Sequence, residues 1–273
     1  MTLSRRGFLA LSAAAATLKA DPLGMPIGCQ TYPVRDALGK DIDGTLKQLA
    51  GMGYKMVEMC SPQGYAKAGF GPLADLKPKE LRDRIHAAGL GCESSHYNFS
   101  ELKGSLDERI AYAKELGLKQ MILATFGVRP EAKLDAWTRA ADELNKIAER
   151  VHGAGLSMGF HNHNFEFQTV DGTLVYDKLM STLDPKLVGM QFQVSVVSLG
   201  YEAATYLTKY PGRFLSLHLQ DWSPTEKKTV AIGQGVVDWK KLFAAAKKGG
   251  VKNYFVELNA DQLGPSYQYL HKL

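Results

Sequence analysis

Only three cysteines occur in the 273 residues, too few for a scaffold held together by disulfides. Cys29, Cys60 and Cys92 are too widely spaced for a zinc knuckle and read as small buried hydrophobes. No run of 18 or more apolar residues is present, so the sequence offers no membrane-spanning helix. Charge of one sign is scarce as well. The 33 basic and 28 acidic side chains leave a net charge of +5, a surplus too mild to argue for nucleic acid. A glycine-rich phosphate loop is missing after the first apolar run, where Gln30-Thr31-Tyr32-Pro33 stands instead. That weakens a doubly wound dinucleotide-binding sheet. What is there is 45% apolar and 22% charged residues, enough for a large core and the opposite of a disordered composition.

Residues 1–20 read as an address rather than as fold. Ser4-Arg5-Arg6-Gly7-Phe8-Leu9 precedes an alanine-rich apolar stretch ending near Leu18, the basic start and short apolar core of an export signal. The Arg5-Arg6 pair with Phe8 and Leu9 resembles a twin-arginine signal, which implies a periplasmic or otherwise exported protein. Removing these residues leaves 30 basic against 28 acidic side chains, and no membrane insertion is expected after cleavage.

From Asp21 onward, short apolar runs alternate with amphipathic stretches. Strands are predicted at Pro26–Thr31, Met56–Cys60, Gly91–His96, Gln120–Thr125, Ser157–His161, Val188–Val194, Phe214–Leu219 and Tyr254–Leu258. Helices are predicted at Ile42–Met52, Lys79–Ala88, Leu106–Leu116, Lys133–His152 and Trp239–Lys248, each followed by glycine as a C-cap, with Gly153 closing the fourth. Eight such units in residues 21–273 predict an α/β protein, a single (β/α)8 TIM barrel, with a last helix that is a stub.

Barrel active sites form at the C-terminal ends of the strands, and polar residues gather at those ends here. Tyr32 follows the first strand, Glu58 lies on the second, and His96 ends the third. The fifth runs into His161-Asn162-His163-Asn164-Phe165-Glu166. Gln191 and Gln193 lie on the sixth, His218 and Gln220 at the seventh, and Glu257 on the eighth, with Asn259 at its end. Strand interiors are otherwise apolar, so these groups must be hydrogen-bonded, ligated or facing a cleft. Residues two apart on a strand share a face, so His161 and His163 project together. Such a cluster suits a metal or proton-transfer site.

The stretches Gly159–Phe167, Leu217-His218-Leu219-Gln220-Asp221, Gly233-Gln234-Gly235-Val236-Val237-Asp238-Trp239 and Phe255-Val256-Glu257, in their order and spacing, resemble the sugar phosphate isomerase/epimerase superfamily. These are the xylose isomerase-like barrels, which also include endonuclease IV. The resemblance covers nearly all of residues 26–260. It implies one divalent metal at the barrel mouth, with His218 and Glu257 as ligands and His161 or Glu166 supplied by the fifth strand. The sixth strand departs from the pattern: Gln193 stands where the family has aspartate. Gln220 replaces a lysine, and Gln234 replaces a glutamate. A neutral amide can ligate but adds no negative charge. The donor set His161, Glu166, Gln193, His218 and Glu257 therefore favours Zn, Mn or Co over Mg, with weakened affinity.

The resemblance further implies isomerisation or epimerisation of a sugar or keto-sugar by proton transfer through an enediolate. Glu257 would serve one face of the carbon and His163 or Glu166 the other. Tyr32, Glu58, His96, Asn162, Gln220 and Trp222 would surround the carbohydrate. The expected partner is a small carbohydrate, with no nucleic acid and with homo-oligomerisation left open. The second reading is an exported sugar-binding barrel whose metal site is degenerate and whose chemistry is altered or lost.

Overall fold

The computed structural model describes residues 21–129 and 131–273. The predicted leader, residues 1–20, lies outside the described residues. Eight strands form the barrel: β1 (Gly28–Gln30), β2 (Met56–Cys60), β3 (Gly91–Asn98), β4 (Gln120–Thr125), β5 (Ser157–His161), β6 (Val188–Gln193), β7 (Phe214–Leu219) and β8 (Asn253–Val256). All neighbours run parallel, and the ring closes where β1 pairs with β8 through Gly28↔Phe255 and Cys29↔Val256. This is the predicted (β/α)8 barrel, and four of its strands begin and end at the residues read from the sequence. Among the described residues no helix is long and apolar enough to cross a membrane.

Helices pack outside the ring by the stripes visible in the sequence. Helix Leu134–Gly153 buries Trp137, Ala141, Leu144, Ala148 and Val151, a three-and-four spacing that keeps one face on the barrel. Helix Ile42–Met52 starts at Asp41, whose carboxylate accepts from Gly44 N at 2.8 Å, and stops at Gly53 with φ of 112°.

Three local expectations are corrected. Gly153 is still helical, and it is Gly155, with φ of 83°, that takes the left-handed position after that helix. The last helix is no stub; it spans Ala260–Leu270. Pro265 lies inside it although proline lacks the N–H of an interior turn. Burial of Leu263, Ser266 and Leu270 overrides that loss, with Ser266 Oγ accepting from Ile232 N at 3.0 Å. Finally, β8 ends at Val256, which places Glu257 just beyond the strand.

The barrel interior is layered. A Cβ on Gly28 would collide with the Phe255 ring, and one on Gly159 with Ile122. Glycine on one strand thus makes room for a large side chain on another, as barrel packing requires. Toward the C-terminal ends the interior turns polar: Gln30, Glu58, Ser94, His96, His161, Gln191, Gln193, Ser216 and His218 are all buried. Two short hairpins, Thr169–Val170 with Thr173–Leu174 and Asp221–Ser223 with Lys228–Val230, follow β5 and β7.

Candidate active site

Parallel register brings the polar side chains together. Gln30 pairs with Glu58, Glu58 with Ser94, His161 with Gln191, and Gln193 with His218. Partners in register point to the same side of the sheet, so these groups meet inside the ring. At their centre is Glu58, with no solvent exposure. Its Oε2 accepts from Gln30 Nε2 at 2.7 Å and lies 2.5 Å from His218 Nε2. Its Oε1 accepts from Ser94 Oγ at 2.5 Å and from Gln191 Nε2 at 2.9 Å. His96 Nε2 sits 3.2 Å from Glu58 Oε2 and 2.7 Å from Gln191 Oε1.

His218 joins this floor to Glu257. Its Nδ1 is 3.2 Å from Glu257 Oε2, the same oxygen that accepts from Gln193 Nε2 at 2.5 Å and Gln220 Nε2 at 3.2 Å. Burial opposes ionisation of both carboxyls. The imidazoles of His96 and His218 beside Glu58 outweigh it and hold that group well below the usual carboxylate range. His218 likewise outweighs burial at Glu257, which is lowered. Burial works against a charge on His218 too, yet Glu257 and Glu58 raise it to about 9. His161 is pushed well below the ordinary histidine value by burial and by its neighbours His218, His163 and His96. Burial also takes His163 down to about 4. At neutral pH the site therefore holds two carboxylates, one imidazolium at His218, and neutral rings at His161 and His163.

Above the floor opens a cavity of about 670 Å³, large enough for a small polyhydroxylated molecule. Of the residues named from sequence, Tyr32, His96, His161, His163, Gln193, Gln220 and Glu257 line it. The others stand elsewhere. Glu58, expected to touch substrate, is sealed beneath it, and His218 is buried beside it. Asn162 is buried and accepts from Gln193 N at 3.2 Å. Glu166 does not line the cavity: its Oε2 accepts from His163 N at 2.7 Å, its Oε1 has no partner among the described residues, and burial pushes it to about 8. Trp222 lies on the β7 hairpin and does not line the cavity either. Asn259, named beside Glu257 at the end of the eighth strand, also lines it, whereas sequence reasoning missed Arg35, Tyr65 and Gln262. Tyr65 packs edge-on against Tyr32 at 6.1 Å. It sits in a loop, where no periodicity marks it.

Asp221 explains the Gly-x-Gly stretch. Its buried carboxylate accepts from the backbone N–H groups of Trp222, Gly233, Gly235 and Val237 and from Trp239 Nε1, at 2.9 to 3.2 Å. A Cβ on Gly235 would collide with that carboxylate.

One ring nitrogen from each of His96, His161 and His218 lies within 4.8 Å of the others, a buried group that can hold a metal ion. Among the described residues, His161 Nδ1 and Gln193 Oε1 are buried with no hydrogen-bond partner, as lone pairs awaiting a cation would be. The set expected from sequence changes accordingly: His96 joins the histidines, and Glu166 stands apart from them.

A family model described as a xylose isomerase-like TIM barrel matches residues 46–268. An inosose dehydratase of Lacticaseibacillus casei is 23% identical over 221 residues, covering 70% of this chain and 67% of that one. An inosose dehydratase of Geobacillus thermodenitrificans is 26% identical over 156 residues, covering 50% of this chain and 51% of that protein. The match thus spans between half and two thirds of these curated relatives. Among solved structures, a sugar phosphate isomerase/epimerase of Parabacteroides distasonis superposes with a TM-score of 0.75 at 24% identity, covering 91% of this chain and 99% of that one. D-psicose 3-epimerase of Clostridium cellulolyticum superposes with a TM-score of 0.66 at 12% identity, covering 91% and 97%. At such identities the structural likeness establishes the fold.

Proposed function

The chain belongs to the xylose isomerase-like TIM barrel family, and from that membership we propose that it is a divalent-metal-dependent isomerase or epimerase of a small sugar or keto-sugar. The observation that carries the reading is the state of Glu257. It is a carboxylate lowered by its neighbours and set on the cavity wall, its Oε2 clamped by Gln193, His218 and Gln220, while among the described residues no hydrogen bond reaches Oε1. A fixed base with one open oxygen is suited to take a proton from carbon. His163 lines the same cavity with a neutral ring, ready to accept or return a proton at a neighbouring atom.

His96, His161 and His218, with Glu257 and the free Oε1 of Gln193, would hold the cation. A nitrogen-rich set of this kind favours Zn2+ or Co2+ over Mg2+. Bound there, the cation supplies polarisation of the substrate's carbonyl and hydroxyl oxygens. Tyr32 and Tyr65 give the cavity an aromatic wall for the apolar face of a sugar ring. The relatives named inosose dehydratase fit the same opening step, because loss of water beside a carbonyl also begins with removal of the adjacent proton. The leader reading places this activity outside the cytoplasm.

The test is solvent deuterium exchange, followed by NMR, into the C–H beside the carbonyl of keto-sugars and inososes with zinc-loaded protein. Incorporation lost in Glu257→Gln is expected; no incorporation into any of them sinks the proposal. A second reading, a sugar-binding barrel without turnover, is favoured by the amide of Gln193 occupying Glu257 where an acid would stand. Calorimetry separates the two, since binding alone gives sugar affinity that chelators leave unchanged.

A further inference from the structure

The buried floor beneath the cavity fixes the ring protons of three histidines, and Gln191 provides the logic. Its Nε2 lies 2.9 Å from Glu58 Oε1 and 3.1 Å from Ser216 Oγ, so the amide nitrogen faces a carboxylate and Oε1 must face donors. His96 Nε2, 2.7 Å from that Oε1, therefore carries hydrogen. The His161 side chain bonds Gln191 as well. Its Nδ1 has no partner, which leaves Nε2–H as the donor. His218 Nε2, 2.5 Å from Glu58 Oε2, donates to the carboxylate. Gln30 cannot take over these duties: its Nε2 is committed to Glu58 and its Oε1 accepts from Tyr32 N at 3.0 Å.

We propose that Glu58 is a positioning residue: together with Gln191 it keeps a ring proton on Nε2 of His96, His161 and His218, so that a nitrogen-tolerant divalent cation is met by Nδ1 of His96 and His161 and by Nδ1 of His218, which gives up the proton it shares with Glu257 when the cation binds. His96, from β3, thereby becomes a ligand beside those of β5 and β7. Metal-bound histidines commonly have their second nitrogen anchored in this way by a carboxylate or an amide. Here one fully buried carboxylate and one amide anchor three. The assignment rests on the proposed function only in placing a cation at the mouth; it requires no turnover.

Glu58→Gln gives a sharp outcome. The floor presents five donors to the carboxylate: Gln30, Ser94, His96, Gln191 and His218. A neutral amide at 58 replaces one acceptor oxygen by a donor. With its NH2 toward Gln191, the Gln191 amide must turn over, and His96 and His161 then face a donor. With its NH2 toward His218, that ring must give up Nε2–H. Either way at least one ring loses its Nε2–H.

The experiment uses the full chain with 15N-labelled histidine. In metal-free wild type, two-bond proton–nitrogen correlations should show Nε2–H on His96 and His161. In 113Cd-loaded protein, cadmium–nitrogen couplings should fall on Nδ1 of His96, His161 and His218. Glu58→Gln should change at least one ring pattern and weaken Zn2+ binding about 10- to 100-fold, with Glu58→Asp recovering part of it. His96→Ala should weaken Zn2+ binding by at least as much. Nδ1–H on His96 or His161 in wild type, cadmium coupling to Nε2, or no Zn2+ binding at all overturns the assignment. So does a folded Glu58→Gln with unchanged rings and affinity. If that variant does not fold, the wild-type ring patterns and couplings decide. Intact ring patterns and Zn2+ binding without deuterium exchange would overturn the proposed function and leave this assignment standing.

Discussion

Gln193 Nε2 donates to Glu257 Oε2 at 2.5 Å, where the related barrels are expected to set an aspartate against a glutamate. A donor there steadies Glu257 as an anion without metal; an aspartate would repel it. In Gln193→Asp the two carboxylates should therefore raise each other's pKa in metal-free protein, and a bound divalent cation should relieve the repulsion. Zn2+ affinity is expected to rise roughly 10-fold or more, and Mg2+ affinity proportionally more, because a hard cation gains most from an added carboxylate. Titration calorimetry with both ions measures this. Unchanged affinities would mean that β6 does not face the cation.

The same charges give the metal-free protein a defined pH window. His218 is raised to about 9 in the fold, so its contribution is fully present below the unfolded value near 6.5 and is lost as pH rises through about 9. His163 is depressed to about 4 and His161 is also lowered. The unfolded chain therefore takes up protons first, and stability falls as pH drops below about 6.5. Glu58 and Glu257, both lowered, add a loss at more acid pH. Thermal melts between pH 4 and 10 should peak near neutrality. In His218→Gln the decline above about pH 7 should flatten; a decline as steep as in wild type would show that it arises elsewhere.

Much of this was legible in the sequence, and for a clear reason. Strand β5 carries a period of two and a glycine stop before it, so Ser157–His161 is placed to the residue. Which histidines meet is a different matter. His96 and His161 come from strands 3 and 5, and their approach depends on barrel radius and register, which no local pattern encodes. Glu58 looked like a substrate contact because a carboxylate on a barrel strand suggests a side chain facing the mouth, yet it lies in the middle of β2. Its depth depends on the rings above it, His96 and His218. Glu166 misled for the opposite reason: three ionisable groups in six residues suggested one site, yet the chain turns after His163 and sends that carboxyl under its own backbone.

Asp221 supports a second test of local structure. Five N–H groups converge on its carboxylate, and charge-assisted bonds to a buried acceptor are the stronger kind. Asp221→Asn keeps one acceptor oxygen and turns the other position into a donor facing donors. The expected cost is about 2–4 kcal/mol, read as a lowered midpoint in urea. Increased proteolysis within residues 231–239 should accompany it, because that loop is what the carboxylate gathers. Gly235→Ala should act similarly through collision with Asp221. Both variants melting like wild type would remove the motif from the stability of the fold.

The leader reading has a direct check that needs no structure. A reporter fused behind residues 1–30 should be exported through the route for folded proteins, and Arg5→Lys with Arg6→Lys together should keep it in the cytoplasm. Export that survives the double change would assign the segment to another route.

Glu166 offers the cleanest stability gain in the molecule. Burial raises it to about 8, against the opposing backbone bond from His163 N. A carboxyl raised in the fold costs stability as pH climbs from the unfolded value near 4.5 toward about 8, because the unfolded chain releases the proton first. Glu166→Gln removes that penalty while keeping an oxygen to accept from His163 N. It should stabilise the protein at pH 7.5 by roughly 1–3 kcal/mol and have no such effect at pH 4. Catalysis bears on the same variant. Because Glu166 does not line the cavity, deuterium exchange should fall little, whereas Glu257→Gln should abolish it. A large loss of exchange in Glu166→Gln, with the fold intact, would return this carboxyl to the chemistry.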